Sequence, residues 1–319
     1  MMKKKIVSLV LAFMLCLSCV SALAAEAWTV TCPWAPSGVA AMVNQKAASL
    51  STTYSQDYVL VANAEKGDTA NINSWLTKYT EADPQMCFIG EGMFGITAIL
   101  DPERMNFTYD DFEYVENLYS SIFVASARKE LGITSIDALK AYLEEGNQIM
   151  VGTNGATGSE AFLAAALIGA MGYGDQFYLI PYESAAEAAQ AVARGEVDIA
   201  VSHQSQILET WQQGGVDVFA AFDGEPIAQG PFKGVEGVGQ YGYPYFRNRC
   251  FIFAKAGADE QKIADLKALY AQILTDEEMV DWLNNTMLLE ADMMTEEEVI
   301  AHIDNVKNIV DEYYDLVAE

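Results

Sequence analysis

Basic residues are scarce in this sequence, and this and other shortages exclude several classes of function. The 319 residues include 18 Lys+Arg against 45 Asp+Glu, a formal net charge of −27. Because nucleic-acid binding needs clustered Lys and Arg against the phosphates, we expect no nucleic-acid partner. The two histidines, His203 and His302, lie far apart in sequence, so a histidine-rich metal centre is not expected. Only 8 prolines occur in a chain that is 51% hydrophobic, which is typical of a globular protein.

The first 24 residues have the pattern of an export signal. Three lysines at positions 3–5 precede an apolar stretch over residues 6–20, and Ala22-Leu23-Ala24 offers small residues where a signal peptidase cleaves. The stretch is short for a membrane span, although a retained anchor is the alternative, and Cys19 leaves a lipoprotein signal open. We expect a mature chain that starts near Ala25 and is exported, to the periplasm or the outer face of the cytoplasmic membrane.

Three cysteines follow the signal, and an odd number cannot fully pair. Cys32, Cys87 and Cys250 each lie in an apolar, strand-like run. Buried free thiols are the simplest expectation for such positions, with one disulfide as the alternative.

Short apolar runs of strand length alternate with helical patterns along the chain. The predicted strands are Trp28 to Cys32, Tyr58 to Ala62, Met86 to Gly90, Ile122 to Ser126, Gln148 to Gly152, Phe177 to Pro181, Val197 to Ser202, Val216 to Phe222 and Cys250 to Lys255. Ser135 can cap a helix over Ile136 to Glu145. Capping-box spacing precedes three further helices, at Thr157 to Glu160, Ser184 to Glu187 and Thr295 to Glu298. This alternation predicts an α/β fold with parallel-rich sheets and helices on both faces.

Ligands of such sheets bind at the carboxyl ends of the strands, where loops lead into helix N-termini. Several of these loops are small and polar, including Ser37-Gly38, Gly67-Asp68-Thr69 and residues 153–159. The glycine spacing around the last loop does not fit the dinucleotide pattern G-x-G-x-x-G. A turn that exposes backbone N–H groups at a helix start is the simpler interpretation, and it can hold a carboxylate or phosphate. No cofactor is predicted.

No catalytic constellation is evident in the sequence. Ser159 lacks the G-x-S-x-G frame, and neither histidine has a motif partner. His203 follows a strand and either lines a cleft or bonds locally, whereas the histidine of the final helix is expected at the surface. The segment 240–249 holds four aromatic residues together with Arg247 and Arg249. It is either a packed loop or a cleft wall whose arginine donates to a ligand carboxylate.

Four segments, in order, carry a resemblance to a known family. They are Cys32-Pro33-Trp34-Ala35-Pro36-Ser37-Gly38, Val61 to Thr69, Gly152 to Ser159, and Ile180-Pro181-Tyr182 followed by Gly195-Glu196-Val197-Asp198. On these segments, which span nearly the whole chain after the signal, the sequence resembles the substrate-binding proteins of tripartite tricarboxylate transporters, the Bug-type receptors.

The resemblance implies a two-lobed, periplasmic-binding-protein-like α/β fold, in which each lobe is a sheet flanked by helices and the ligand cleft lies between the lobes. Lobe one is predicted to combine residues 25–123 with 251–319, and lobe two to be residues 124–250. The family contacts its ligand largely through backbone amides of two loops. The implied binding residues are Pro36, Ser37, Gly38, Val39, Asn154, Gly155, Ala156, Thr157, Ser159 and Tyr182. From their positions after strands or beside the aromatic segment, Thr153, His203 and Arg247 are added as candidates.

The function implied by the resemblance is a binding protein that captures a small carboxylated metabolite by hinge closure and delivers it to membrane transporter subunits. We expect it to be a monomer and not an enzyme. The alternative is an exported sensor or enzyme on the same fold. Ser37 stands where the family has glycine and Ala41 where it often has aspartate, so the identity of the ligand stays open.

Overall fold

Residues 25–317 are described by the structure, a computed structural model. The expected export signal at residues 1–24 lies outside this range. Within this range the chain forms eleven strands in two sheets. The strands are β1 (Glu26–Cys32), β2 (Tyr58–Ala64), β3 (Gln85–Gly90), β4 (Phe112–Ser121), β5 (Phe123–Arg128), β6 (Ile149–Asn154), β7 (Phe177–Tyr182), β8 (Ile199–His203), β9 (Val216–Ala221), β10 (Asn248–Lys255) and β11 (Glu290–Ala291). Every predicted strand is present within two residues of its expected bounds, while β4 and β11 were not predicted.

Helices connect these strands. They are α1 (Val39–Tyr54), α2 (Asp68–Lys78), α3 (Ala98–Leu100), α4 (Ile136–Glu144), α5 (Ser159–Ala170), α6 (Ala185–Ala193), α7 (Gln204–Gln212), α8 (Glu260–Leu274), α9 (Glu277–Trp282), α10 (Glu296–Glu312) and α11 (Tyr314–Val317). Two π-helical turns, Met93–Thr97 and Leu283–Met287, adjoin α3 and α9. Within residues 25–317 no helix is both long and apolar enough to cross a membrane.

The predicted helix starts are confirmed at three of four positions. Ser135 accepts from the Ala138 amide, Ser184 accepts from the Glu187 amide, and Thr295 forms a full capping box with Glu298. The capping box predicted at Thr157 is wrong, because α5 begins two residues later with Gly158 as its N-cap and without a side-chain cap. The Thr157 hydroxyl instead accepts from Arg104 at 2.9 Å.

The first sheet has the order β11-β4-β10-β3-β1-β2 and the second β7-β6-β8-β5-β9. Each contains a parallel core, β2-β1-β3 in the first and β7-β6-β8 in the second, while β10 and β5 run antiparallel to their neighbours. The chain passes from β4 to β5, and so from one sheet to the other, across the single residue Ile122, and it returns between β9 and β10. The predicted α/β class with helix-flanked sheets is confirmed.

Each sheet has a hydrophobic core on both faces. One face of the first sheet packs against α1 and α8. The other face packs against a cluster of aromatic side chains around Phe253. The second sheet packs α4 and α5 on one face and α6 on the other. Helix α10 contributes to both halves, since Val299 belongs to the aromatic cluster and Val306 to the core of the second sheet. The end of the chain therefore joins the two halves by apolar packing.

Candidate functional site

The loops at the carboxyl ends of both parallel strand sets surround one cavity of about 600 Å³. Loops after β1, β2 and β3 supply one wall, and loops after β6, β7 and β8 supply the other. Parallel strands direct their carboxyl ends to one edge of a sheet, which is why segments far apart in sequence meet here. The cavity is therefore formed by both sheets, at the edges that the strand–helix alternation indicates.

The first-sheet wall presents the open end of a helix. Gly38 is the N-cap of α1, no side chain caps it, and the first turn contains no acidic residue. Gly38, Val39 and Ala40 all line the cavity. The first amides of a helix lack intrahelical acceptors and lie at the positive end of its dipole, so this wall can receive an anion.

Asp68 lies beside this helix end in a strained conformation. Its φ is +51°, in the left-handed region that Asp tolerates better than most residues. The amides of Gly67 and Asp68 both donate to Pro33 O, at 3.1 and 2.9 Å. The Asp68 carboxylate accepts hydrogen bonds from Trp34 Nε1 and from Arg104 Nη2, each at 3.3 Å. These contacts fasten the loop after β2 to the loop after β1.

The second-sheet wall is built on a glycine turn. Gly155 has φ +76°, its amide donates to Tyr182 O at 3.1 Å, and its carbonyl accepts from Thr153 Oγ1 at 2.7 Å. The turn leads through Asn154, Ala156 and Thr157 to the start of α5, and these residues line the cavity. The predicted small-residue turn before a helix is present.

Two buried carboxyl groups also line the cavity. Glu91, with no exposed surface, accepts from Ser159 Oγ at 3.0 Å, Asn248 Nδ2 at 2.9 Å and the Arg249 amide at 2.8 Å. Glu160, in the first turn of α5, is 6% exposed. Burial raises the pKa of Glu91, and burial raises that of Glu160 to about 7, with the charge of Glu91 adding to the shift. The second-sheet helix end therefore faces carboxyl groups of the protein itself.

Polar contacts cross the cavity between the two walls. Lys66 Nζ lies 2.9 Å from Glu183 Oε2. Arg104 Nη1 donates to Thr157 Oγ1 at 2.9 Å while its other nitrogen bonds Asp68. Lys66 and Arg104, which both line the cavity, are thus engaged with acidic partners.

Most of the residues predicted for the site meet at this cavity. Those that line it are Gly38, Val39, Asn154, Gly155, Ala156, Thr157, Ser159, Tyr182 and His203. They come from both sheets, which is the arrangement that the resemblance implies.

Four predicted residues do not line the cavity. Pro36 and Ser37 are exposed in the loop before α1, and Thr153 is buried beneath the turn that its hydroxyl holds. Arg247 is ion-paired with Asp223 and Glu290 at 2.9 and 2.7 Å, so its guanidinium is already satisfied by carboxylates of the chain. The packed-loop interpretation of the aromatic segment therefore fits the structure better than the cleft-wall one.

The two histidines are both engaged with neighbouring side chains. His203 Nδ1 lies 2.7 Å from Ser121 Oγ, and burial lowers the pKa of His203 to about 3. A serine and histidine in contact could suggest a nucleophile, but a base with that pKa is weak at neutral pH, and Ser121 does not line the cavity. His302, expected at the surface, is half-buried with Nδ1 at 3.1 Å from Arg249 Nη1, so that expectation is wrong.

The cysteines are as the sequence predicts. Cys32, Cys87 and Cys250 are free and buried. Within residues 25–317 no cluster of three His, Cys, Asp or Glu side chains could hold a metal ion.

Glu91, Glu160, Arg104 and Lys66 are among the cavity residues that the sequence did not predict. Glu91 had a usable signal, because it directly follows a predicted strand, as the polar loops do. No sequence signal pointed to Arg104, because it reaches the cavity from a short 3₁₀ turn that does not follow a strand.

The fold is shared with known binding proteins. A solved periplasmic transporter superimposes with a TM-score of 0.80 at 15% identity, covering 92% of this chain and 98% of that one. An R. palustris protein with adipate gives 0.80 at 15% identity, covering 91% and 96%. MatC from Rhodopseudomonas palustris, with bound malate, gives 0.75 at 17% identity, covering 91% and 98%. Comparison with curated protein sequences gives no match.

The two-lobed fold is that of the solved periplasmic binding protein BugD, with a TM-score of 0.78 at 15% identity, covering 92% of this chain and 98% of that one. The family model described as the tripartite tricarboxylate transporter family receptor matches residues 89–308. The chain belongs to this family, and it is a solute-binding receptor.

Proposed function

We propose that this receptor binds a small carboxylate in the cavity between its lobes and delivers it to the membrane subunits of a tripartite tricarboxylate transporter. One observation carries the choice of ligand: the uncapped, acid-free N-terminus of α1 opens into the cavity. The adipate and malate bound to two proteins of the same fold support it. An anion at this helix end would meet unpaired amides and the positive end of the dipole.

The affinity this site can supply is sufficient for a transport receptor. Hydrogen bonds to a charged group contribute roughly 1.5–3 kcal/mol each, so three or four of them can support micromolar binding. The high negative charge of the chain disfavours distant attraction of anions. Salt screens that repulsion beyond about 8 Å, and the nearby amides then determine local affinity.

Capture would occur by hinge closure of two lobes, residues 25–123 with 251–319 and residues 124–250. The passage between sheets at Ile122 supports the first boundary, and the return before β10 supports the second. A ligand that contacts both walls favours the closed state by its extra contacts there. Helix α10, which packs on both cores, would lie across the hinge.

We further infer that the receptor acts as a monomer in the periplasm or at the outer face of the cytoplasmic membrane, and that it does no chemistry on its ligand. The family and the weakly basic His203 support a binding role rather than catalysis. A cleaved signal near Ala25 would be consistent with this location. N-terminal sequencing of the exported protein would test it, and an intact Met1 or an acylated Cys19 would contradict it.

A thermal-shift screen tests the proposal. Mono-, di- and tricarboxylates, with and without amino or aromatic groups, should include ligands that raise the melting temperature, because a bound ligand adds RT ln(1 + [L]/Kd) to stability. Calorimetry on Gly38→Val should then show at least about a tenfold loss of affinity, since a Cβ at this position would lie 3.0 Å from Ala35 O and displace the loop that forms the anion-binding wall. Gly174→Val, at an exposed glycine far from the cavity, is the matched control. Unchanged binding to Gly38→Val would show that the ligand lies elsewhere.

A further inference from the structure

The basic side chains of the cavity are already paired with carboxylates of the chain itself. Within residues 25–317, the Lys and Arg residues that line the cavity are Lys66 and Arg104. Lys66 Nζ lies 2.9 Å from Glu183 Oε2. The Arg104 guanidinium has Asp68 Oδ2 at 3.3 Å and Asp101 Oδ2 at 3.8 Å. A ligand in the cavity therefore meets neither a lysine nor an arginine that lacks an acidic partner.

Acidic side chains outnumber basic ones around the same space. The carboxyl groups that line it belong to Asp68, Glu91, Glu160, Glu183 and Glu187. Burial raises the pKa of Glu91 and that of Glu160, but when both hold a proton three carboxylates still face two basic side chains. His203 adds no charge at neutral pH, because burial lowers its pKa to about 3. Each carboxylate that a ligand brings would thus lose hydration beside surplus negative charge, unless backbone amides receive it.

Most helix starts at the cavity already contain a carboxylate of the chain. The first turns of α2, α5 and α6 and the residue after β3 supply Asp68, Glu160, Glu187 and Glu91. The first two residues of α7, Gln204 and Ser205, do not line the cavity. The start of α1 has no acidic residue in its first turn, and its first residues do line the cavity. Among these helix starts, α1 is therefore the one that can receive a ligand carboxylate.

Apolar side chains lie beside this position. Trp34, which is partly exposed, lines the cavity together with Val39 and Met93. The indole N–H of Trp34 donates to Asp68 Oδ1 at 3.3 Å, so the ring offers the cavity apolar surface and no free donor. The volume of about 600 Å³ falls within the range of about 300–1,000 Å³ that is usual for sites of larger organic ligands. Beyond one carboxylate, the cavity has room for an apolar ring or chain.

We propose that the ligand carries a single carboxylate on an uncharged, mainly apolar body, and that the receptor selects such monocarboxylates against di- and tricarboxylates. The carboxylate binds at the start of α1, and the body packs along Trp34, Val39 and Met93. This inference rests on the proposed function and narrows its ligand class. Adipate and malate, which are bound to two proteins of the same fold, each carry two carboxylates, so the inference separates this receptor from those proteins.

Ligand pairs in which a methyl group replaces one carboxylate test the inference. Hexanoate with adipate and 4-methylbenzoate with terephthalate are two such pairs, and the tightest carboxylate from the thermal-shift screen is compared with its own partner in the same way. Calorimetry at low salt should show the monocarboxylate binding at least about tenfold more tightly in each pair that binds. Equal or tighter binding of the dicarboxylates would overturn the inference and leave the proposed function intact. If no carboxylate of either class binds, the proposed function fails as well.

The length of the ligand tests the apolar body. Hexanoate and acetate carry the same charge and differ in their CH2 groups. Since each CH2 group that packs on apolar side chains adds to the affinity, hexanoate should bind at least about tenfold more tightly than acetate. Equal affinities of these two acids would show that the body of the ligand stays in solvent, and would overturn that part of the inference.

Asp68→Asn tests whether charge causes the selectivity. Asparagine tolerates the φ of +51° at this position and can still accept from Trp34 Nε1, while Arg104 keeps only Asp101, at 3.8 Å, as an acidic partner. The affinity for adipate relative to hexanoate should therefore rise at least about fivefold. Asp110→Asn, at an exposed carboxylate that does not line the cavity, makes the same charge change and should leave this ratio unaltered. An unaltered ratio in folded Asp68→Asn would overturn the electrostatic cause. The ligand pairs with the native protein decide the ligand class even if the variant folds poorly.

Discussion

Ser159 Oγ donates to Glu91 Oε1 at 3.0 Å, which ties the start of α5 in the second sheet's half to the residue that follows β3 in the first. The neighbouring Gly92 lies so close that a Cβ built on it would be 2.7 Å from the same hydroxyl oxygen. The two halves of the protein are thus in close contact here, and a larger side chain at Gly92 would force them to move apart.

Gly92→Ala should therefore weaken ligand binding. A methyl group at 2.7 Å from Ser159 Oγ would push the walls apart, and overpacking of this kind costs about 1–3 kcal/mol. We expect a loss of affinity of about tenfold by calorimetry, with little change in far-UV circular dichroism.

A double-mutant cycle provides the control for that prediction. Ser159→Ala removes the oxygen that the new methyl group would meet, so Gly92→Ala should do much less harm in that background, with a coupling energy of about 1 kcal/mol. Additive effects of the two substitutions would show that the clash does not limit closure.

Glu160 should make stability depend on pH. Because burial raises its pKa from 4.5 to about 7, the folded protein holds a proton that the unfolded chain releases between these values. The stability that comes from protonated Glu160 is complete below the unfolded pKa and is lost as the pH rises through the folded one. Residue 160 cannot titrate in the Glu160→Gln variant, so the variant does not lose this stability as the pH rises. The free energy of unfolding of the variant minus that of the native protein should therefore rise by about 2 kcal/mol from about pH 5 to about pH 8.

Urea unfolding of ligand-free protein at both pH values measures this difference. Glu144→Gln, at an exposed carboxylate at the end of α4, is the control, because it makes the same change of charge in solvent. A Glu160→Gln difference that is constant with pH would mean that Glu160 titrates alike in the folded and unfolded chains.

The alternation of apolar runs was enough to predict the α/β class and nine strands, but not β4. That strand carries Glu116 and Asn117 in its middle, and both are buried. Glu116 Oε1 accepts from the Met294 amide at 3.3 Å and Asn117 Nδ2 donates to Asp292 O at 2.6 Å. Partners some 175 residues away satisfy these polar groups, and no local pattern contains that information.

For the site, as for the fold, the sequence was enough to predict the main chain segments but not the contacts between distant residues. Loops after parallel strands are identified by order along the chain, so the turn at Gly155 and the start of α1 at Gly38 could be assigned to the cavity. Which charged side chains line the cavity depends on contacts between residues that are distant in sequence. Arg247 is neutralised by Asp223 and Glu290. Arg104 reaches Thr157 from a segment with no local pattern that would place it at the cavity.

Asp198 should be a stability residue and not a binding residue. Its Oδ1 accepts from Arg128 Nε at 2.9 Å, its Oδ2 accepts from the Met150 amide at 2.8 Å, and it is 5% exposed. Removing one partner of a mostly buried, hydrogen-bonded ion pair costs about 3 kcal/mol. Asp198→Ala should lose about that much in urea unfolding and keep its ligand affinity wherever it is folded. Glu196→Ala, which breaks an exposed, solvent-screened pair with Arg194, should leave the free energy of unfolding almost unchanged.

The contact between Lys66 and Glu183 should act on the release of ligand. The two side chains meet at 2.9 Å across the cavity, and both are more than half exposed, so the pair contributes about 1 kcal/mol at most to the closed state. Lys66→Ala should therefore speed ligand dissociation about two- to fivefold in stopped-flow measurements, and the effect should shrink in about 0.5 M salt, where screening is strong. The charge-reversed pair Lys66→Glu with Glu183→Lys keeps the net charge and should restore slow release, whereas Lys66→Glu alone should be the fastest. Fast release from the reversed pair, whose net charge equals that of the native protein, would mean that Lys66 does not act through its contact with Glu183.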